Sequence, residues 1–122
     1  MPTNNQLTQV SSRGTGNSWC RAPLDRQIQL NNQTITLEEV ARFLALIKCD
    51  ARVVVPNRMT KQRWGVARIS RNEVVLYRCS VWVFLHEVAH MLTPGCGHGP
   101  KFGEKLDALQ MVWQVVEAAG MV

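Results

Sequence analysis

The pentapeptide HEVAH, residues 86–90, constrains this chain more than any other stretch. The run around it, SVWVFLHEVAHMLT, is rich in β-branched and aromatic residues, and its apolar pattern suits a strand or a buried helix equally. The histidines decide between them. On a strand His86 and His90 would share a face but stand roughly 13 Å apart, too far to serve one ion. On a helix, residues four apart stack on one face. Both imidazoles can then reach a single ion at about 2.0–2.1 Å. A helix is therefore expected, with Ser80 as its N-cap. All three histidines of the chain fall within residues 86–98. His98 follows on a loop containing Pro94, Gly95, Gly97 and Gly99, residue types that let the chain turn back on itself.

Two helical histidines and a third from a following loop make a three-nitrogen metal site, for which Zn2+ is the natural ion. Glu87 lies about 100° round the helix from His86, so it need not ligate. It can instead take a proton from a zinc-activated water and pass it to a leaving amine, as the general base and acid of an HExxH hydrolase. Three protein ligands leave the fourth position open, the mark of a catalytic site rather than a structural one. Cys96, two residues before His98, is an alternative ligand. Its thiolate would close the shell and make the zinc structural. Tyr77, just before the metal helix, and Trp82, one turn before His86, are candidate oxyanion or cleft residues.

The rest of the chain frames this helix. Residues 1–33 are rich in Asn, Gln, Ser, Thr and Gly without apolar periodicity, and read as a flexible or partner-bound arm with Trp19 and Leu24 as anchors. Residues 34–122 form the folded domain. Thr36 and Glu39 make a capping box for a helix whose Val40, Phe43, Leu44 and Ile47 share one face. ARVVVP, RWGVARI and EVVLYR read as three short strands, the last two joined by a hairpin-sized gap at residues 70–72. Pro100 can open a last helix that carries Phe102, Leu106, Leu109, Trp113 and Val116 inward, with Gly120 as its stop. The fold class is α+β: a small, mainly antiparallel three-stranded sheet with an active-site helix, plus N- and C-terminal helices.

At 122 residues the chain has the length of one domain. No window resembles a membrane span, and the N-terminus lacks a charged start with an apolar run behind it, so a cytoplasmic protein is expected. A virion-associated one fits equally. Cys20, Cys49, Cys79 and Cys96 form no C-x-x-C pair and read as free thiols, Cys49 and Cys79 as small core residues. Net charge is +5. The excess is concentrated in Arg52, Arg58, Lys61, Arg63, Arg68, Arg71 and Arg78, against Glu73 alone. Such a block is either a solvated sheet face or a contact surface for nucleic acid or another polyanion.

HEVAH followed by HGPKF resembles the zinc metallopeptidase core of the SprT/Spartan-like family, within the small gluzincin-type zincins. The resemblance covers roughly residues 34–119, and its specific part is residues 86–102. It implies a zincin-like fold, His86, His90 and His98 as ligands of one Zn2+, Glu87 as the base, and a peptide lying along the sheet's edge strand. Unlike many Spartan-type proteins, this chain has no C-x-x-C pairs for a zinc ribbon. The expected function is zinc-dependent hydrolysis of peptide bonds by a metalloendopeptidase acting on a protein or peptide. The alternative is a non-catalytic zincin-fold binding or assembly protein with a structural zinc, phage- or nucleic-acid-associated, working through the arm and the basic strands.

Overall fold

A computed structural model of the chain describes residues 24–57 and 63–122. The elements are α1 (Leu24–Asn32), α2 (Leu37–Leu46), β1 (Arg52–Val54), β2 (Gly65–Arg68), a 3-10 turn (Ile69–Arg71), β3 (Glu73–Leu76), α3 (Val81–Leu92) and α4 (Pro100–Ala118). Their ends follow local chemistry. The Thr36 hydroxyl accepts from the Glu39 N–H at 3.1 Å, and the Glu39 carboxylate accepts from the Thr36 N–H at 2.9 Å. Ser80 caps α3 through the Val83 N–H at 3.2 Å. Pro100 opens α4, where its missing N–H costs nothing. Past the end of α4, Gly120 takes the left-handed conformation with φ of 72°.

The sheet is mixed, in the order β1-β3-β2. This corrects the mainly antiparallel expectation. β2 and β3 form the antiparallel hairpin, with Arg68 opposite Glu73 and Gly65 opposite Leu76. β1 pairs parallel to β3, with Arg52 beside Glu73 and Val54 beside Val75. Ten residues separate Val54 from Gly65, enough chain to pass over the central position and start β2 on the far edge. β3 takes the centre because Val74, Val75 and Leu76 form an unbroken apolar run that must be covered on both faces, and all three are buried. Glu73, also on β3, is buried at the register where the three strands meet. Arg52 reaches it at 2.7 Å from one edge and Arg68 at 3.2 Å from the other. The Arg52 hydrogen bond, helped by Arg68, holds the Glu73 carboxyl below the ordinary carboxylate range.

α3 is the hub. It packs against β2 and β3, α1 and α4. Val81, Phe84, Leu85, Val88 and Ala89 have no exposed surface. A helix covered on so many sides is apolar nearly all round, which is why its sequence reads equally well as a strand. Behind it Phe43 of α2 meets the Phe84 ring at 5.8 Å and the Trp113 ring of α4 at 5.4 Å, joining three helices. Cys49 and Cys79 are half-buried and pack on this core as free thiols.

α1 lies within the polar segment, residues 1–33, read from the sequence as an arm. Its nine residues carry few apolar side chains, too weak a pattern to stand alone. Docking supplies the difference. Leu30 is buried, the Gln33 carbonyl accepts from the Val81 N–H, and the Gln33 side chain donates to Glu117 of α4. Residues 1–23, including Trp19 and Cys20, lie outside the described residues. Among the described residues no helix is long and apolar enough to cross a membrane.

Phe43→Ala should lower the unfolding free energy by about 3–5 kcal/mol, since it empties the junction of three helices. Thr36→Ala should cost only about 1 kcal/mol through the lost cap. Urea unfolding of the two variants beside the wild type checks both values.

Candidate metal centre

The fold sets the site at the C-terminal half of α3. Helical spacing brings the rings of His86 and His90 to 5.0 Å between centroids. Beyond Leu92 the helix stops at Thr93, whose hydroxyl donates to the Ala89 carbonyl at 2.7 Å. The loop then reverses tightly: the Cys96 N–H donates to Thr93, and the Gly99 N–H to Cys96. Two left-handed residues make this possible, Gly95 at φ of 78° and Gly97 at 56°, both disfavoured for a residue with a β-carbon.

The reversal brings His98 over the helix. Its Nε2 lies 3.1 Å from Nε2 of His90 and 3.3 Å from Nε2 of His86. One donor atom from each of the three histidines falls within 4.8 Å of the others, close enough to hold a single metal ion. The spacing also fits. Two nitrogens at about 2.05 Å from an ion, at a tetrahedral angle, stand about 3.3 Å apart. Three imidazoles suit zinc, copper, iron or nickel.

Phe102, at the first turn of α4, is the floor of this cluster. Its ring stacks on His90 at 4.3 Å with 26° between planes, and lies edge-on to His86 at 5.0 Å and to His98 at 4.9 Å. It is fully buried. One apolar ring thus fixes three imidazole orientations, as the supporting shell of a metal site does. Spacing alone had marked Phe102 as a core residue and could not foresee this contact.

Burial sets the protonation. Desolvation, with His90 and His98 adding to it, pushes His86 down to about 3. Desolvation, with His98 adding to it, pushes His90 down to about 4. His98, more exposed, is lowered by desolvation alone. The imidazoles are therefore neutral near pH 7, the form that binds metal. Glu87 moves the other way. It is 8% exposed and makes no hydrogen bond or ion pair among the described residues. Desolvation raises its carboxyl to about 7.

Glu87 and His90 line a cleft of about 280 Å³ with Thr93 and Gly97 of the loop, and with Ala67 and Ile69 on the β2 side. β2 is an edge strand. Trp64 accepts from the Tyr77 N–H at 2.9 Å, so antiparallel alternation turns the backbone polar groups of Gly65 and Ala67 away from β3, toward the open edge.

The other candidates lie apart from the donor cluster or are otherwise engaged. The Cys96 thiol is not in the donor cluster; it lies 3.9 Å from the Pro94 carbonyl. Trp82 stands beside His86 at 6.3 Å between rings, and Tyr77 follows β3, but neither lines the cleft. Of the basic residues, Arg68 is bound to Glu73, and Arg78 sits 4.5 Å over the half-exposed Trp64 ring and reaches the Asn31 carbonyl. Arg63 and Arg71 are exposed, while Arg58 and Lys61 lie outside the described residues. Comparison of the chain with family models, curated proteins and solved structures gives no match.

The protein should take up one transition-metal ion per chain, by elemental analysis after dialysis. Phe102→Ala should weaken that binding by about 10–100-fold, and Cys96→Ser should leave it unchanged. A pH effect follows in the metal-free protein. Because the folded Glu87 pKa lies above its unfolded value, the native state holds an extra proton there between about pH 4.5 and 7, and the Glu87 contribution to stability falls as pH rises through that window, opposite in sign to that of the three histidines. Glu87→Gln removes the Glu87 contribution and leaves that of the histidines. At pH 8 it should exceed the metal-free wild type by up to about 3 kcal/mol, shrinking to nothing near pH 4, by denaturant unfolding in chelator.

Proposed function

We propose that this chain is a zinc-dependent metalloendopeptidase related in mechanism to the SprT/Spartan-like zincins, acting on a protein or peptide. The observation that carries the reading is Glu87: a buried carboxylate with no cation or donor beside it among the described residues, lining one cleft with His90, a member of the three-imidazole cluster. Burying such a group unpaired costs stability. Perturbed, uncompensated acids of this kind concentrate at catalytic sites. A purely structural metal site, as in the binding or assembly alternative, has no use for it.

His86, His90 and His98 would hold the ion through Nε2. Zinc held there supplies the Lewis acidity that makes water a nucleophile near neutral pH. The chain's own residues do the rest. Glu87 accepts the proton of the attacking water on its carboxylate and returns it to the amine that leaves. Its value near 7 without metal keeps both forms accessible, and a cation at the histidines favours the ionised one. The outward N–H and C=O groups of Ala67 offer an extended peptide the pairing of an added strand beside the base. Ile69, 43% exposed at the cleft, gives an apolar wall for a substrate side chain.

The test is cleavage of denatured casein by zinc-loaded protein. The wild type should cut, and Glu87→Gln should lose activity on the order of 10²–10⁴-fold while keeping its zinc. Equal zinc content with no cleavage by either protein would return the site to a structural role.

A further inference from the structure

β2 crosses α3 at a glycine. Gly65 has ordinary strand pairing, opposite Leu76, and needs no left-handed backbone. What it needs is space. A β-carbon at this position would lie 2.8 Å from Cγ of Glu87, 2.8 Å from Cγ1 of Val83 and 3.1 Å from Oε2 of Glu87. Carbon atoms attract best at about 3.5–4.0 Å, so the first two contacts are deep clashes.

Neither backbone can yield easily. β2 is held along its length by β3 and at its end by the Arg68–Glu73 pair. α3 is wedged between the sheet, α1 and α4. Val83 is buried, and a β-branched side chain in a helix has one strongly preferred rotamer. The movable part is the Glu87 side chain. Relieving a clash at its Cγ means turning a torsion close to the backbone, and that swings the carboxylate.

We infer that Gly65 is a positioning residue for Glu87: the bare α-carbon of the edge strand fixes where the carboxylate stands at the lip of the cleft. The inference rests on Glu87 being the base. It goes further by placing one control of catalysis on β2, outside the metal-binding motif. The sheet edge that would receive substrate and the carboxylate that would receive a proton are brought into register by a single missing methyl group.

The first experiment is a stability cycle on metal-free protein: wild type, Gly65→Ala, Glu87→Ala and the double variant, by denaturant midpoint. Gly65→Ala should lower the midpoint, and with Glu87 removed that loss should shrink to less than about half. A loss of the same size in both backgrounds would overturn the inference. The second experiment keeps Glu87 and makes room at Val83, so that folding is preserved. Zinc-loaded Gly65→Ala/Val83→Ala is compared with Val83→Ala on casein, per mole of bound zinc. A displacement of about 1 Å should cost on the order of 10²-fold in kcat, with KM and zinc affinity within about twofold. Unchanged kcat would overturn the inference as well. If wild type does not cleave, the hydrolase reading falls, and the stability cycle alone decides whether Gly65 places Glu87.

Discussion

The burial of α3 is the constraint on which the site depends. The helix is packed against strands on one side and helices on the others, so its rotation and translation are fixed by Val81, Phe84, Leu85, Val88 and Ala89 together. His86, Glu87 and His90 inherit that rigidity through short side chains. A functional constellation on a packed helix is held more tightly than one on loops. Only His98 comes from a loop, and that loop is short, closed by backbone hydrogen bonds and backed by Phe102.

The same burial creates an electrostatic tension. Three imidazoles share one site, and a carboxylate stands nearby with no partner among the described residues. Desolvation drives the histidines and Glu87 toward their neutral forms. Nδ1 of His86 is also buried without a hydrogen-bond partner among the described residues. Each of these costs folding free energy. A bound cation lowers the total, since it takes the imidazole lone pairs and attracts the carboxylate. Metal uptake and stability are therefore linked. By contrast, the other buried carboxylate, Glu73, is satisfied by two arginines and clamps the strands together. One acid is paired and structural; the other is unpaired and available.

Much of this was legible in the sequence. The capping box at Thr36, the Ser80 cap, the Pro100 start and the Gly120 stop each rest on chemistry within a few residues, and each stands as read. The histidine cluster was legible because helical spacing and a glycine loop are local facts. Sheet order was not. Adjacency in sequence favoured an antiparallel meander, while the clue to a central β3 was its unbroken apolar run. Helix α1 was hidden because its stability comes from docking Leu30 and Gln33 onto distant parts of the chain. Gly65 left a faint trace, a lone glycine inside a strand pattern, which marks a close backbone approach without saying to what.

The sequence by itself determined which groups can hold a metal ion and which carboxylate stands beside them, because four-residue spacing and glycine chemistry act within one helix and one loop. The tertiary structure decided their surroundings. Phe102 beneath the three rings, β2 along the cleft and the space at Gly65 that a β-carbon would take from Glu87 all join separate elements of the fold. Such contacts depend on how the elements pack, and packing is set by the whole core at once rather than by any local pattern.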